Sequence, residues 1–106
     1  MTPVYKYEVL IDPAAYNKMY DHVKFLANVS VSAAERLYAE LEEAIIFLKS
    51  NPESCPQYYP QFPCDLKLRY KLFGKRYRIV FEIIGNKVFA YDIQDCRQSI
   101  EKSLVD

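Results

Sequence analysis

Apolar residues in the first half of the chain recur at helical spacing and predict two helices. Asp12-Pro13 has the form of a helix start, with aspartate as the N-cap and proline at the first helical position. The apolar positions that follow are Tyr16, Met19, Tyr20, Val23, Leu26 and Ala27. Residues 28–31 interrupt this pattern, and we expect the first helix to end there.

The second helix is predicted over residues 32–50. It begins at Ser32-Ala33-Ala34-Glu35, which has the form of a capping box, and it ends at Asn51-Pro52. A single apolar stripe predicts the face that packs in the core, and its members are Ala34, Leu37, Tyr38, Leu41, Ala44, Ile45 and Leu48. Residues 53–64 contain three prolines and predict a loop.

Alternating apolar and polar residues predict strands at both ends of this helical pair. One strand is predicted over residues 4–11, and two more over 66–72 and 76–84, with a two-residue turn at Gly74-Lys75. Gly85-Asn86 predicts a tight hairpin turn before a last strand over 87–93. The order β-α-α-β-β-β indicates an α+β fold in which an antiparallel sheet packs on a helical hairpin, as one domain over residues 1–106.

Basic residues are concentrated in the predicted hairpin. Residues 67–78 hold six of the fourteen basic side chains, which leaves eight against fourteen acidic ones and a charge of about minus six elsewhere. A two-residue turn would place Lys71 opposite Arg78, and facing like charges destabilise a sheet by up to about 1 kcal/mol. The predicted basic face, with Tyr91 at its centre, consists of Lys67, Arg69, Lys71, Arg76 and Arg78. We interpret it as an anion-binding surface; a solvated outer face is the alternative.

Other features of the sequence exclude several classes of protein. Three cysteines without a CxxC pair, and a single histidine, indicate neither a disulfide framework nor a zinc site, and we expect no metal or other cofactor. The N-terminus lacks the pattern of a signal peptide, and no apolar run approaches the ~18 residues of a membrane span. We therefore expect a cytoplasmic protein that does not contact a membrane.

The middle predicted strand contains Tyr77-Arg78-Ile79-Val80-Phe81, and Asp95-Cys96-Arg97-Gln98 follows the last one. These two segments resemble the RelE/ParE toxin superfamily of bacterial type II toxin–antitoxin systems. The resemblance extends over the whole order of elements. It implies a toxin that forms a hetero-oligomer with a cognate antitoxin protein, which covers the toxin surface.

The resemblance implies one of two activities. RelE-like toxins cleave messenger RNA on the ribosome without a metal, by attack of the 2′-hydroxyl on the adjacent phosphate, and ParE-like toxins inhibit DNA gyrase. Cleavage requires a base, an acid and positive charge near the phosphate. By comparison with RelE, we expect a ribosome-dependent endoribonuclease. Its catalytic residues would be Arg78, Arg97, Lys71 and Tyr91, and its RNA-binding residues Lys67, Arg69 and Arg76.

One departure from the RelE pattern leaves enzymatic activity open. Residues 98–106 contain neither the tyrosine nor the histidine that RelE-like nucleases carry in the tail. Acid–base roles could fall to Tyr91, Glu82 or Asp95, although each of these has a structural alternative, and His22 is expected on a helix surface. The other hypotheses are a gyrase inhibitor and a homologue that binds only its antitoxin. Tyr58 and Tyr59 are expected to pack in the loop, with stacking on a base as their alternative.

Overall fold

The structure is a computed structural model that describes residues 5–96. The elements are β1 (Glu8–Ile11), α1 (Pro13–Val29), α2 (Val31–Ser50), a 3-10 turn (Pro52–Ser54), β2 (Leu68–Phe73), β3 (Tyr77–Ile84) and β4 (Lys87–Asp95). The predicted α+β class and element order are confirmed. The sheet order is β1-β4-β3-β2, and β1 runs parallel to β4, so the sheet is mixed rather than wholly antiparallel.

A single serine both ends α1 and begins α2. The predicted N-cap of α1 is confirmed, because the Asp12 carboxylate accepts a hydrogen bond from the Ala14 amide at 2.8 Å. The N-cap of α2 is Ser30, whose hydroxyl accepts from the Ala33 amide, so the capping box predicted at Ser32 is wrong. The amide of Ser30 also donates to the carbonyl of Leu26. The helices therefore join in a tight hairpin.

The core lies between this helical hairpin and one face of the sheet. Its most deeply buried side chains come from both layers and include Met19, Leu48, Ile79, Phe81 and Val88. Each such side chain stabilises the fold by about 1.5–3 kcal/mol relative to exposure. We call this sheet surface the helix face and the opposite surface the outer face.

The register between β2 and β3 differs from the prediction by one residue. Three residues, not two, separate the strands, so Phe73 pairs with Tyr77 and Lys71 lies opposite Ile79 rather than Arg78. This register buries Phe73, whose ring stacks on Tyr77 with a centroid distance of 5.5 Å, and leaves Leu72 53% exposed. Burial of the larger apolar ring favours this pairing over the predicted one.

The register between β3 and β4 is confirmed near the turn and wrong beyond Tyr91. Glu82 pairs with Phe89 as predicted, but a β-bulge at Tyr91 inserts one unpaired residue, so Arg78 lies opposite Gln94 instead of Ile93. The extra residue turns Ile93 to the helix face, where it is 2% exposed. Burial of Ile93 is the physical reason for the shift.

The β2–β3 turn should tolerate an added methyl group less well than the β3–β4 turn. Gly74 and Gly85 both have positive φ, +60° and +62°, and each Ala substitution should cost about 1 kcal/mol for that conformation. A methyl at Gly74 would also lie 3.0 Å from Glu40 Oε2 and 3.1 Å from Leu37 Cδ1, whereas one at Gly85 meets nothing within 4 Å. Gly74→Ala should therefore lower the free energy of unfolding more than Gly85→Ala, by up to about 1 kcal/mol, because the ends of the two neighbouring side chains must move.

Chemical denaturation of the two variants checks this difference. Equal losses of stability, or a larger loss for Gly85→Ala, would contradict the close approach of Gly74 to α2.

Candidate functional site

The shifted register divides the basic run between the two faces of the sheet. Arg69 and Lys71 lie opposite Phe81 and Ile79, and thus on the helix face, whereas Arg78 lies on the outer face. The predicted single basic face around Tyr91 is therefore wrong. The predicted cations within the described residues therefore have different neighbours.

Arg69 and Lys71 contact the end of α2 and the segment that follows it. The Arg69 Nη1 donates to the carbonyl of Cys55 at 2.6 Å and to that of Glu53 at 3.3 Å. The Lys71 ammonium lies 4.2 Å from the ring centroid of Phe47, a cation–π distance. Both side chains extend from β2, which is an edge strand of the sheet. Their apolar stems can therefore lie against the core while their charged ends reach the edge of the sheet. Arg69 therefore holds the loop against the sheet, and Lys71 packs on α2.

Arg76 occupies the turn and forms an ion pair with Asp95. The distance from its Nη2 to the carboxylate is 2.7 Å, and the Asp95 side chain is 4% exposed. This contact ties the turn to the end of β4. Lys67 is exposed in the loop before β2, and Arg97 lies outside the described residues.

Arg78 lies on the outer face, where two side chains contact its guanidinium. Its Nε donates to the Gln94 side-chain oxygen at 2.7 Å, and its Cζ lies 5.0 Å from the ring centroid of Tyr58. Neither Nη group forms a hydrogen bond with any described residue, and Arg78 is half-buried. Those donors are positioned to bind a phosphate through charge-assisted hydrogen bonds.

Gln94 links Arg78 to two further polar groups. Its amide nitrogen donates to the Tyr58 hydroxyl at 3.3 Å and to the Asp92 carboxylate at 3.2 Å. Since arginine can only donate, the amide oxygen must face Arg78 and the amide nitrogen must face the carboxylate. Lys18 of α1 forms an ion pair with Asp92 at 3.3 Å. We call these five residues the Arg78 site.

The loop after α2 brings Tyr58 into this site. Residues 56–58 pair with the free edge of β2, where the Tyr58 amide donates to the Leu68 carbonyl at 2.8 Å and the Tyr70 amide to the Pro56 carbonyl at 3.1 Å. The Tyr58 hydroxyl meets the side chain of Gln94, which extends from β4, so Tyr58 lies over part of the outer face. Val80, on that face, is buried. The outer face is therefore partly covered rather than open.

Tyr91 belongs to a separate pair on the outer face. Its hydroxyl donates to the Glu82 carboxylate at 2.8 Å, and this hydrogen bond raises the pKa of Tyr91. Glu82 lies four residues along β3 from Arg78, roughly 13 Å in an extended strand. The carboxylate that is linked to Arg78 is that of Asp92, through Gln94.

Sequence reasoning missed Asp92, Gln94 and Lys18. Strict alternation from Gly85-Asn86 places Asp92 and Gln94 on the helix face, and the bulge at Tyr91 reverses that assignment. The signal that could have revealed the bulge is Ile93, an apolar residue that strict alternation assigns to the outer face.

Cysteines and side chains of the types that ligate metals also lie in the described part of the chain. Within residues 5–96, no three His, Cys, Asp or Glu side chains are grouped so that they could hold a metal ion. Cys55, Cys64 and Cys96 are free thiols, and burial raises the pKa of the Cys55 thiol. His22 packs edge-on against the Tyr77 ring at 6.0 Å. No helix in the described ranges is both long and apolar enough to cross a membrane.

A tyrosine–glutamate contact secures the segment that Arg69 holds. The Tyr7 hydroxyl donates to the Glu53 carboxylate and lowers the pKa of Glu53, to which Lys6 and Arg69 also contribute. A carboxylate with a lowered pKa in the folded state stabilises the fold above its unfolded-state pKa. That contribution is lost as the pH falls through its folded-state pKa.

Removing the Tyr7 hydroxyl should therefore raise the pKa of Glu53. Tyr7→Phe deletes the donor and keeps the ring, and carboxyl-carbon NMR titration measures the change directly. Tyr5→Phe is the control, because the Tyr5 ring contacts Lys49 rather than Glu53. An unchanged Glu53 pKa in Tyr7→Phe would show that the contact does not stabilise the carboxylate.

Comparison with known proteins now places this arrangement in a family. No protein in the curated collection matches the chain. The family described as "ParE toxin of type II toxin-antitoxin system, parDE" matches residues 9–100, which include both helices and β2, β3 and β4. The resemblance expected from the middle strand is confirmed. The chain belongs to the ParE toxin family, within the RelE/ParE superfamily of type II toxin–antitoxin toxins.

Proposed function

We propose that this toxin cleaves ribosome-bound messenger RNA by metal-independent attack of the 2′-hydroxyl on the adjacent phosphate. The observation that supports this proposal is the guanidinium of Arg78, which lies beside the Tyr58 ring and whose Nη groups form no hydrogen bond within residues 5–96. Positive charge fixed in advance near a phosphate stabilises the charge that develops in the transition state. Arg78 is the residue to which we assign this role.

The surroundings of Arg78 favour RNA as the ligand. Proteins bind single-stranded nucleic acid by combining cationic groups with aromatic rings on which bases stack. Tyr58 lies beside Arg78, and Tyr70 contacts Tyr58 edge-on, with a centroid distance of 6.5 Å. Lys67 is exposed in the preceding loop and could contact the backbone of the strand.

The remaining predicted site residues take different parts in this proposal. Arg69, Lys71 and Arg76 act through the scaffold, because their charged groups contact backbone carbonyls, Phe47 and Asp95. Arg97 remains the proposed second cation. For proton transfer we propose Asp92, which is linked to Arg78 through Gln94, in addition to the expected Tyr91.

Membership in a type II toxin–antitoxin family implies an antitoxin partner. We propose that the toxin and antitoxin form a hetero-oligomer in the cytoplasm and that the antitoxin covers the Arg78 site. An acidic side chain of the antitoxin would complement the guanidinium.

Gyrase inhibition is the second candidate. It is favoured by the contacts of Arg69, Lys71 and Arg76, which leave fewer cations for catalysis than RelE-like chemistry leads one to expect. The absence of tyrosine and histidine from residues 98–106 favours it as well. A toxin of this kind would bind its target without cleaving RNA.

Arg78→Ala should lower messenger RNA cleavage by about 10²–10³-fold, the range for loss of one transition-state donor. Primer extension on transcripts after induced expression measures the cuts. Arg78→Lys should restore only part of the activity, because one ammonium cannot replace two Nη donors. Lys87→Ala is the matched control: it removes an exposed cation from the opposite end of the β3–β4 hairpin and should leave cleavage unchanged.

Discrete cuts in translated codons that disappear in Arg78→Ala support the nuclease. Intact transcripts accompanied by DNA breaks and an SOS response would reject it and support gyrase inhibition.

A further inference from the structure

We infer that Tyr58 and Arg78 together bind one nucleotide of a single-stranded RNA, with its base on the tyrosine ring and its phosphate on the Nη groups. The inference rests on the proposed function in taking RNA as the ligand. It adds a base-stacking residue from the loop after α2 and a positioning residue, Gln94, from β4.

The geometry fits adjacent parts of one nucleotide. The guanidinium Cζ of Arg78 lies 5.0 Å from the Tyr58 ring centroid. Gln94 occupies the Nε of Arg78 and leaves its two Nη groups without a partner among the described residues. Tyr58 is half-buried, so part of the residue remains accessible. A base can thus contact the ring while the neighbouring phosphate contacts the arginine.

Tyr58 is held in place before any ligand arrives. Its amide donates to Leu68, its ring meets the Tyr70 ring edge-on, and its hydroxyl accepts from Gln94. A side chain fixed in this way loses little conformational entropy on binding, which favours affinity. The same Gln94 amide also holds Arg78. Gln94 therefore sets the positions of the stacking ring and the phosphate-binding group relative to each other.

The neighbouring tyrosine lacks these contacts. Tyr59 is 79% exposed, its hydroxyl donates to Gln57, and its ring contacts no other aromatic ring or cation within residues 5–96. It has the same side chain in the same loop but is not attached to the Arg78 site. Tyr59→Ala is consequently a matched control for any effect of losing a loop aromatic residue.

Fluorescence anisotropy with a short fluorescein-labelled oligouridylate tests the site, and thermal unfolding confirms that each variant is folded. Tyr58→Ala should weaken binding by about 5- to 150-fold, the range for one lost base stack. Tyr58→Leu fills similar space without a π face and should weaken binding comparably. Tyr58→Phe keeps the π face but loses the hydrogen bond to Gln94, and it should weaken binding less than either of these variants. Tyr59→Ala should bind like the wild type.

The salt dependence separates the two contacts. Arg78→Ala should weaken binding and also reduce the slope of log K against log salt by about 0.7, as expected for one phosphate contact to a single strand. Tyr58→Ala should leave that slope unchanged. Gln94→Leu should weaken binding and reduce the slope as well, because it releases both Tyr58 and Arg78.

Wild-type affinity in folded Tyr58→Leu, equal losses in Tyr58→Ala and Tyr59→Ala, or no binding of the oligouridylate would overturn the inference. Cleavage by primer extension is scored separately. Arg78-dependent cleavage with normal binding by the Tyr58 variants would reject the nucleotide site and retain the nuclease. Tyr58-dependent binding without cleavage would retain the nucleotide site and reject the nuclease.

Discussion

The position of every side chain on the basic hairpin depends on the number of residues between Phe73 and Tyr77. Gly74 and Lys75 have φ values of +60° and +67°, and Arg76 adds a third residue to the turn. The extra residue shifts the pairing by one, and a shift of one exchanges the two faces of a strand. Stacking of the buried Phe73 and Tyr77 rings stabilises this register.

The shift separates cations that hold the fold from the cation that faces outward. Arg69 and Lys71 turn to the helix face, where Lys71 packs on α2 and Arg69 secures the loop after it. That loop brings Tyr58 to Arg78. The bulge at Tyr91 makes the complementary change on β4, because it brings Gln94 opposite Arg78. The turn and the bulge together assemble the Arg78 site from β3, β4 and the loop.

The sequence was sufficient for the elements whose signals are local. The N-cap at Asp12, the helix end at Asn51-Pro52 and the turn at Gly85-Asn86 depend on neighbouring residues, and each was predicted correctly. The register of β2 was predicted wrongly, because apolar residues occur at both odd-numbered and even-numbered positions of this strand. Lysine and arginine stems can also lie against an apolar layer. The position of the Tyr58 side chain depends on a hydrogen bond with Gln94, which is distant in sequence, and no local pattern indicates this contact.

The central claim, that one residue of register places Arg69 and Lys71 on the opposite face of the sheet from Arg78, is tested most directly by cross-strand NOEs. The Tyr70 amide donates to the loop, so Tyr70 and Val80 form a pair without mutual hydrogen bonds, in which α-protons approach closely. The account predicts a strong NOE between the α-protons of Tyr70 and Val80. An NOE pattern that places Tyr70 opposite Ile79, and hence Lys71 opposite Arg78, would contradict it.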